Sequence, residues 1–437
     1  MLDPGQDPDQ SSQHEESGAD RRSFIRSIVA GTGASLFGFS GCTLAPGNPR
    51  SRRNPRRKDP LARSREYFTI EPGLTYLNTG SLGCSPRPVF EAVVKAMRAV
   101  NANPTRVHGT DLLQVTDAVR NKAARLLGAA PGEVAVVRNT TEGMTIVAAG
   151  LSLRQGDEIL INSKEHSGSF FCWKYLSERI GVRIRMFTPP APPTDPEQLV
   201  ELVKNNLTPA TRVVSICHMA GSTGLVYPLK AISEAIRSQG IFLVVDGAHP
   251  PGMMQVNLRD LGVDTYASSS HKWLCAPRGT GLLYVRKEVQ DEIRPLIAGS
   301  ERYRLPDARR YEAVGCRNLE GQAGLEAAID FYDRVGPGRI EARVRHLSTR
   351  LRRSVREMPG VRLLTSEDPG LSCGISTIGF KIVDCRKVQA ALREHFNIWV
   401  KPLPEPDLNA IRVSTHYYNT SEEVDGLVNA LKTVVQE

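Results

Sequence analysis

Between residues 134 and 285, short β-branched runs alternate with segments whose apolar residues recur every three to four positions. The runs at 134–137, 158–162, 182–187, 213–217, 242–245, 265–268 and 281–285 have the length and composition of buried strands. Segments 88–100, 112–127, 141–149, 169–180, 197–205 and 229–239 carry the helical period. Strands separated by helices of that length predict βαβ units and an α/β fold with a mainly parallel sheet. From about residue 340 the order changes to helix 341–357, strands 361–364 and 375–381, helix 385–395, strand 410–414 and helix 421–435. We therefore expect a large domain over 66–335, with an N-terminal arm, and a smaller α+β domain over 336–437.

The front of the chain follows neither pattern. Its first twenty residues hold six acids and no Lys or Arg, and residues 21–65 hold eleven Arg or Lys against Asp59 alone. The first 65 residues thus sum to +4 of the net +9 and leave only +5 on the remaining 372, a mildly basic body that argues against a nucleic-acid partner. Arg21 and Arg22 precede a short, Gly-rich, mildly hydrophobic stretch. That layout predicts a twin-arginine export signal over 1–42, read by the export machinery. The stretch ends in Phe39-Ser40-Gly41-Cys42, a lipobox-like sequence with Phe where Leu is usual. Lipid on Cys42 would anchor the protein at a membrane surface; otherwise we expect a periplasmic location. Residues 43–65 then form a basic Pro/Arg linker, in which charge repulsion and proline favour an extended tether. No apolar run reaches the roughly 18–20 residues of a spanning helix.

Eight cysteines are scattered without a CxxC pair, which suggests neither a zinc site nor a disulfide framework. Export after folding in a reducing compartment would bury such thiols before they could mispair.

In open α/β sheets ligands gather at the carboxyl ends of strands, so the residues following each run matter most. Run 134–137 leads into Asn139, Thr140 and Thr141 at a helix entrance, where backbone N–H groups can hold an anion. Run 158–162 leads to Glu165-His166, and run 242–245 to Asp246-Gly247-Ala248-His249. A carboxylate directly after an apolar strand requires a cationic partner. Run 265–268 leads to Ser269-Ser270-His271-Lys272-Trp273. Burial lowers a lysine's pKa, which is what Schiff-base chemistry requires.

These motifs, followed by Arg412-Val413-Ser414-Thr415-His416-Tyr417-Tyr418-Asn419-Thr420, resemble the class V aminotransferase family of pyridoxal 5'-phosphate (PLP) enzymes. The likeness is greatest to the isopenicillin-N-epimerase-like branch, with cysteine desulfurases as cousins, and covers about residues 76–431. It implies a fold-type I architecture and a homodimer. It also implies that Lys272 forms the Schiff base with PLP and moves the Cα proton. Asp246 would pair with the pyridinium nitrogen and His166 stack on the ring. Thr140, Thr141, Ser269 and His271 would hold the phosphate, and Arg412 the carboxylate of an amino-acid-type substrate.

The chain departs from its resemblance in three places. Desulfurases carry a persulfide-forming cysteine before the carboxylate-binding arginine, and residues 399–411 contain none. A missing thiol disfavours the persulfide route. Gly221 stands where desulfurases have Asn and His249 where they have Gln, so His249 is expected to reach the cofactor's phenolic oxygen. Cys316 occupies the place of a Thr that in relatives reaches the neighbouring subunit's phosphate. We expect an exported enzyme acting at Cα by transamination or epimerisation; a carbon–sulfur lyase and a non-catalytic binding protein are the alternatives.

Overall fold

Val134 and Val136 belong to one apolar cluster and Ala135 and Val137 to another, so strand β2 (Val134–Val137) is covered on both sides. The same alternation of faces recurs along β3 (Glu158–Asn162), β5 (Thr211–Cys217), β6 (Phe242–Asp246), β7 (Thr265–Ser269) and β8 (Gly281–Val285). Burial on both faces explains why these strands read as nearly continuous apolar runs. With β4 (Arg183–Phe187) they form a seven-stranded sheet ordered β2-β8-β7-β6-β5-β3-β4. Pairing is parallel from β4 through β7, while β8 runs antiparallel to both its neighbours. The sheet is therefore mainly parallel, and six carboxyl ends share one edge.

The computed structural model describes residue 61, residues 64–106 and residues 112–436. The expected export signal, Cys42 and nearly all of the basic linker lie outside the described residues.

Helices α1 (Arg87–Ala102), α2 (Leu112–Leu127), α3 (Thr140–Gly150), α4 (Ser167–Ile180), α5 (Pro196–Asn205) and α6 (Leu229–Arg237) match the predicted segments to within a few residues. Helix α7 (Leu319–Val335) was not predicted. Its Gly324 reads as a helix weakener, yet a Cβ there would come within 2.3 Å of Pro277 Cγ and 2.7 Å of Val93 Cγ2. Glycine lets α7 lie against α1 and against the segment after Lys272.

The C-terminal part combines α8 (Pro337–Val355), α9 (Cys385–Phe396) and α10 (Ser421–Gln436) with a four-stranded sheet. Its strands β9 (Val361–Leu363), β10 (Ile375–Phe380), β12 (Lys401–Leu403) and β13 (Ala410–Ser414) are ordered β12-β13-β10-β9. Ile411 and Val413 face the helices with Ile378, Leu351 and Leu427. Arg412, between them, therefore faces the other way. A separate two-residue parallel pairing joins β1 (Thr75–Tyr76) to β11 (Ile398–Trp399).

No disulfide joins the seven described cysteines. Cys217, Cys275, Cys373 and Cys385 are buried, Cys84 and Cys172 half-buried, and Cys316 exposed. Among the described residues no helix is long and apolar enough to cross a membrane.

Candidate active site

Lys272 sits three residues beyond β7, in a turn fixed from two directions. Gly83 N–H donates to the His271 carbonyl at 2.8 Å, and a Cβ on Gly83 would lie 1.9 Å from the Lys272 carbonyl oxygen. Only glycine allows that approach. From the opposite side His416 Nε2 donates to the Trp273 carbonyl at 2.8 Å, while its Nδ1 accepts from Tyr417 N–H at 2.9 Å. One neutral tautomer satisfies both bonds, and burial pushes the imidazole's pKa down to about 3. No hydrogen bond or ion pair to described residues restrains the Lys272 ammonium. Burial lowers its pKa to about 8; Asp246 opposes that shift, and Arg412 and Lys401 reinforce it.

Asp246 ends β6 and is 5% exposed. Its Oδ1 accepts from Ala248 N–H at 2.8 Å, and its Oδ2 accepts a short hydrogen bond from Ser169 Oγ. The cation expected beside it is not an ion-pair partner from the described residues. Next to it lies Glu165, whose Oε1 accepts from Cys217 N–H at 2.6 Å and from Asn162 Nδ2. Burial first, then the charge of Asp246, raises the Glu165 carboxyl to about 8. It is therefore largely protonated at neutral pH.

Trp273 Nε1–H donates to His249 Nδ1 at 3.1 Å. An indole N–H can only donate, so the histidine proton is fixed on Nε2. Burial, with Lys272 and Arg412 nearby, holds the His249 pKa well below the usual value, so Nε2–H is a neutral donor. A Cβ on Gly221 would stand 3.0 Å from that Nε2. The glycine at 221 and the histidine at 249 are thus sterically coupled, which the sequence showed only as two separate departures.

Thr140 is buried, and its N–H and hydroxyl meet Ser269 Oγ at 3.1 and 2.8 Å. Thr141 is exposed at the start of α3, whose cap is Asn139 accepting from Glu142 N–H. Ser268 Oγ, Ser270 Oγ and His271 Nδ1 are buried there without hydrogen-bond partners. His166 caps α4 by accepting from Gly168 N–H at 3.0 Å. The residue as a whole is exposed, while partial burial of its ring, then the charge of Lys272, lowers its pKa. Cys316 lies elsewhere, in a groove of about 380 Å³ lined also by Arg138, Gly279, Thr280 and Arg317 but by none of Lys272, Asp246 and Arg412.

Arg412 is 3% exposed and has no acidic partner among the described residues. Nη1 donates to the Gly221 carbonyl at 3.2 Å, and Nη2 to Asn78 Oδ1 at 3.1 Å and Ser81 Oγ at 2.7 Å. Its Nε is buried and unpartnered. Burial lowers its pKa to about 10. Among the described residues Arg412 therefore takes part in no structural ion pair. Sequence reading missed Asn78, Ser81 and Gly83; the Asn-Thr-Gly-Ser-Leu-Gly run at 78–83 was the available signal.

These observations test the fit of pyridoxal phosphate. A carboxylate without a cation, a guanidinium without an acid and a lysine of lowered pKa lie within electrostatic reach of one another, and the segment leading to that lysine carries the unpartnered Ser270 hydroxyl and His271 Nδ1. They complement a ring nitrogen, a substrate carboxylate, an aldehyde and a phosphate, so the residues present fit that group.

The family profile described as aminotransferase class-V matches residues 75–427. The isopenicillin N epimerase of Streptomyces clavuligerus is 32% identical over 392 residues, covering 86% of this chain and 98% of the relative. That of Amycolatopsis lactamdurans is 34% identical, covering 85% and 98%. A probable cysteine desulfurase of Methanothermobacter thermautotrophicus is 30% identical, covering 82% and 94%. Among solved structures, a lysine mutant of C-DES with glycine covalently linked to its PLP cofactor superposes with a TM-score of 0.78 at 26% identity, covering 84% of this chain and 98% of that one. The cystine C–S lyase C-DES with cysteine persulfide gives 0.76 at 27% identity, covering 82% and 97%.

Proposed function

The chain belongs to the class V aminotransferase family of PLP-dependent enzymes, and on that premise we propose that it acts at Cα of an amino acid or amino-acid-bearing metabolite, by transamination or epimerisation. The observation that carries the proposal is Arg412, a buried guanidinium without an acid, sharing a cleft with a lysine of lowered pKa. Bound in the cleft, PLP supplies an electron sink that makes the substrate's Cα–H acidic. Arg412 receives the substrate carboxylate in a forked pair of hydrogen bonds and so fixes the orientation of Cα. Asp246, oriented by Ser169 and Ala248, holds a proton on the cofactor's ring nitrogen. Lys272 takes and returns the Cα proton, and a pKa of about 8 leaves part of its population as free amine at neutral pH. His249 would offer its Nε2–H to the cofactor's phenolic oxygen, and His166 would hold the ring. Thr140, Thr141, Ser269 and His271 serve the phosphate.

The carbon–sulfur lyase reading is supported by the C-DES likeness together with a cysteine-free segment at 399–411. The products discriminate. Keto acid formed stoichiometrically with enzyme supports transamination; deuterium exchange and inversion at Cα support epimerisation; sulfide release supports the lyase. If the purified chain gives no visible band with added PLP, or if Lys272→Ala keeps the lysine-attached band, the enzymatic proposal fails.

The proposal includes a homodimer exported by the twin-arginine route to the periplasm or held at the envelope by lipid on Cys42. Its export and lipid-anchor parts are supported by Arg21-Arg22 and by the Gly41-Cys42 sequence. Retention of an Arg21→Lys/Arg22→Lys variant in the cytoplasm, with wild type exported, is the expected fractionation result.

A further inference from the structure

Lys401 and Arg412 stand directly opposite each other on the antiparallel strands β12 and β13. Opposed residues of such a pair project from the same face, with Cα atoms about 4.5–5.5 Å apart, and like charges placed so are destabilising. The shared face is the one turned away from the helices of the C-terminal part. Arg412 reaches Gly221, Asn78 and Ser81 from it, and Thr377, opposite Arg412 on β10, donates to the Ser222 carbonyl at 2.7 Å. Lys401 is half-buried and has no hydrogen bond or ion pair to a described residue. The acid that acts on it is Glu405, an exposed residue beyond ion-pair distance, while neighbouring Asp407 is occupied by Lys164. The charge of Lys401 is felt at Lys272, His166 and His249, so its ammonium lies within electrostatic reach of those groups.

Two cations thus meet across one strand pair, both partly withdrawn from water and neither neutralised by an acid at contact distance. Arg412 suffices for one carboxylate. We propose that the substrate carries a second acidic group, and that Lys401 receives it while Arg412 holds the α-carboxylate. The substrate class is then an amino acid, or a metabolite bearing one, with an acidic side chain. This rests on the amino-acid reading above. It also gives the segment 399–411 a task in this chain: β12 presents a cation where the desulfurase resemblance would have a thiol.

The experiment uses the full chain loaded with pyridoxal phosphate, with binding followed by the cofactor's absorption. Aspartate and glutamate are titrated against 2-aminobutyrate and norvaline, in wild type, Lys401→Met and Lys401→Arg. The expected result is at least tenfold weaker binding of the acidic amino acids to Lys401→Met, less than twofold change for the neutral ones, and substantial recovery in Lys401→Arg. Equal effects on both classes, or no preference for acidic side chains in wild type, overturn the proposal. O-phosphoserine serves as a separate arm: tighter binding than glutamate assigns the second group as phosphate, weaker binding as carboxylate, and either requires Lys401. A calorimetric titration of the cofactor-free chain with glutarate and with butyrate decides the matter without the cofactor. Glutarate binding that is lost in Lys401→Met supports the second anion site, and its absence from wild type refutes it. Failure of the PLP reading shows differently, as no spectral response to any amino acid.

Discussion

Replacing Lys272 with Met removes a charge whose cost to folding can be read from its surroundings. The ammonium titrates near pH 8 in the folded protein, against 10.5 when unperturbed, because burial outweighs the favourable charge of Asp246 and because Arg412 and Lys401 add repulsion. Between those two values the unfolded chain holds a proton that the folded one has released. Stability therefore rises with pH across that window. Below pH 8 the full cost is present, and above 10.5 it is gone. The difference between 10.5 and 8, at about 1.36 kcal/mol per pH unit, amounts to about 3 kcal/mol. Solvent access to the half-buried side chain trims this toward about 2 kcal/mol. Lys272→Met keeps the length and apolar volume of the side chain without the charge. In urea denaturation of the cofactor-free proteins it should be the more stable by about 2–3 kcal/mol at pH 7, with the gap closing by pH 10.5. Other titrating groups contribute to both proteins and cancel in the difference. A gap that stays flat with pH, or a wild type more stable than the variant at pH 7, would refute the reasoning.

Arg412→Met should weaken amino-acid binding about a hundredfold or more, while changing stability by no more than about 1 kcal/mol, because the lost hydrogen bonds are offset by relief of a buried charge. A stability loss of about 3–5 kcal/mol in denaturation would instead indicate a structural ion pair. Gly221→Asn should displace the His249 ring, since the new Cβ stands 3.0 Å from Nε2, and shift the absorption maximum of the bound cofactor; adding His249→Gln should restore part of it. Glu165→Gln should be nearly neutral below about pH 4.5, where the carboxyl is protonated in both the folded and the unfolded chain, and more stable than wild type at pH 7, where the unfolded carboxyl has ionised and the folded one has not. Because that carboxyl's pKa is raised from 4.5 to about 8, its stabilising contribution fades as pH rises through this interval, and the variant should flatten the wild-type decline in denaturation midpoint.

Most strands of the large sheet were legible because they are buried on both faces and so written in nearly continuous apolar residues, the exposed edge strand β4 excepted, and the strand-end residues stood out as the polar remainder. Strand direction was not legible: nothing in Gly281–Val285 tells that β8 runs against its neighbours. Helix α7 was hidden by its glycines, of which Gly324 records close packing against Val93 and Pro277 and says little about helix propensity. Strand β12 was hidden by the prolines of its segment, and with it the position of Lys401 opposite Arg412. Proline is tolerated there because β12 is an edge strand, paired on one side only. Lys272, Asp246 and Arg412 could be named from local motifs. The partners that orient Arg412 could not, since Asn78 and Ser81 lie 334 and 331 positions away. The His249 tautomer depends on a contact with Trp273 that no spacing announces.

That separation sets a clock on the assembly of the cleft. Strand β1, early among the described residues, waits for a partner strand near the far end, and Asn78 waits for Arg412. At about 5–20 residues per second of synthesis, the 334 intervening positions take roughly 20–70 s to emerge. Through that interval the nascent protein can complete most of its seven-stranded sheet and expose Lys272, but it cannot build the pocket that selects what reaches the lysine. Chemical selectivity is thus the last property this molecule acquires, and a chain released before residue 398 would carry Lys272 without the strand, the arginine and the His416 contact that define its surroundings.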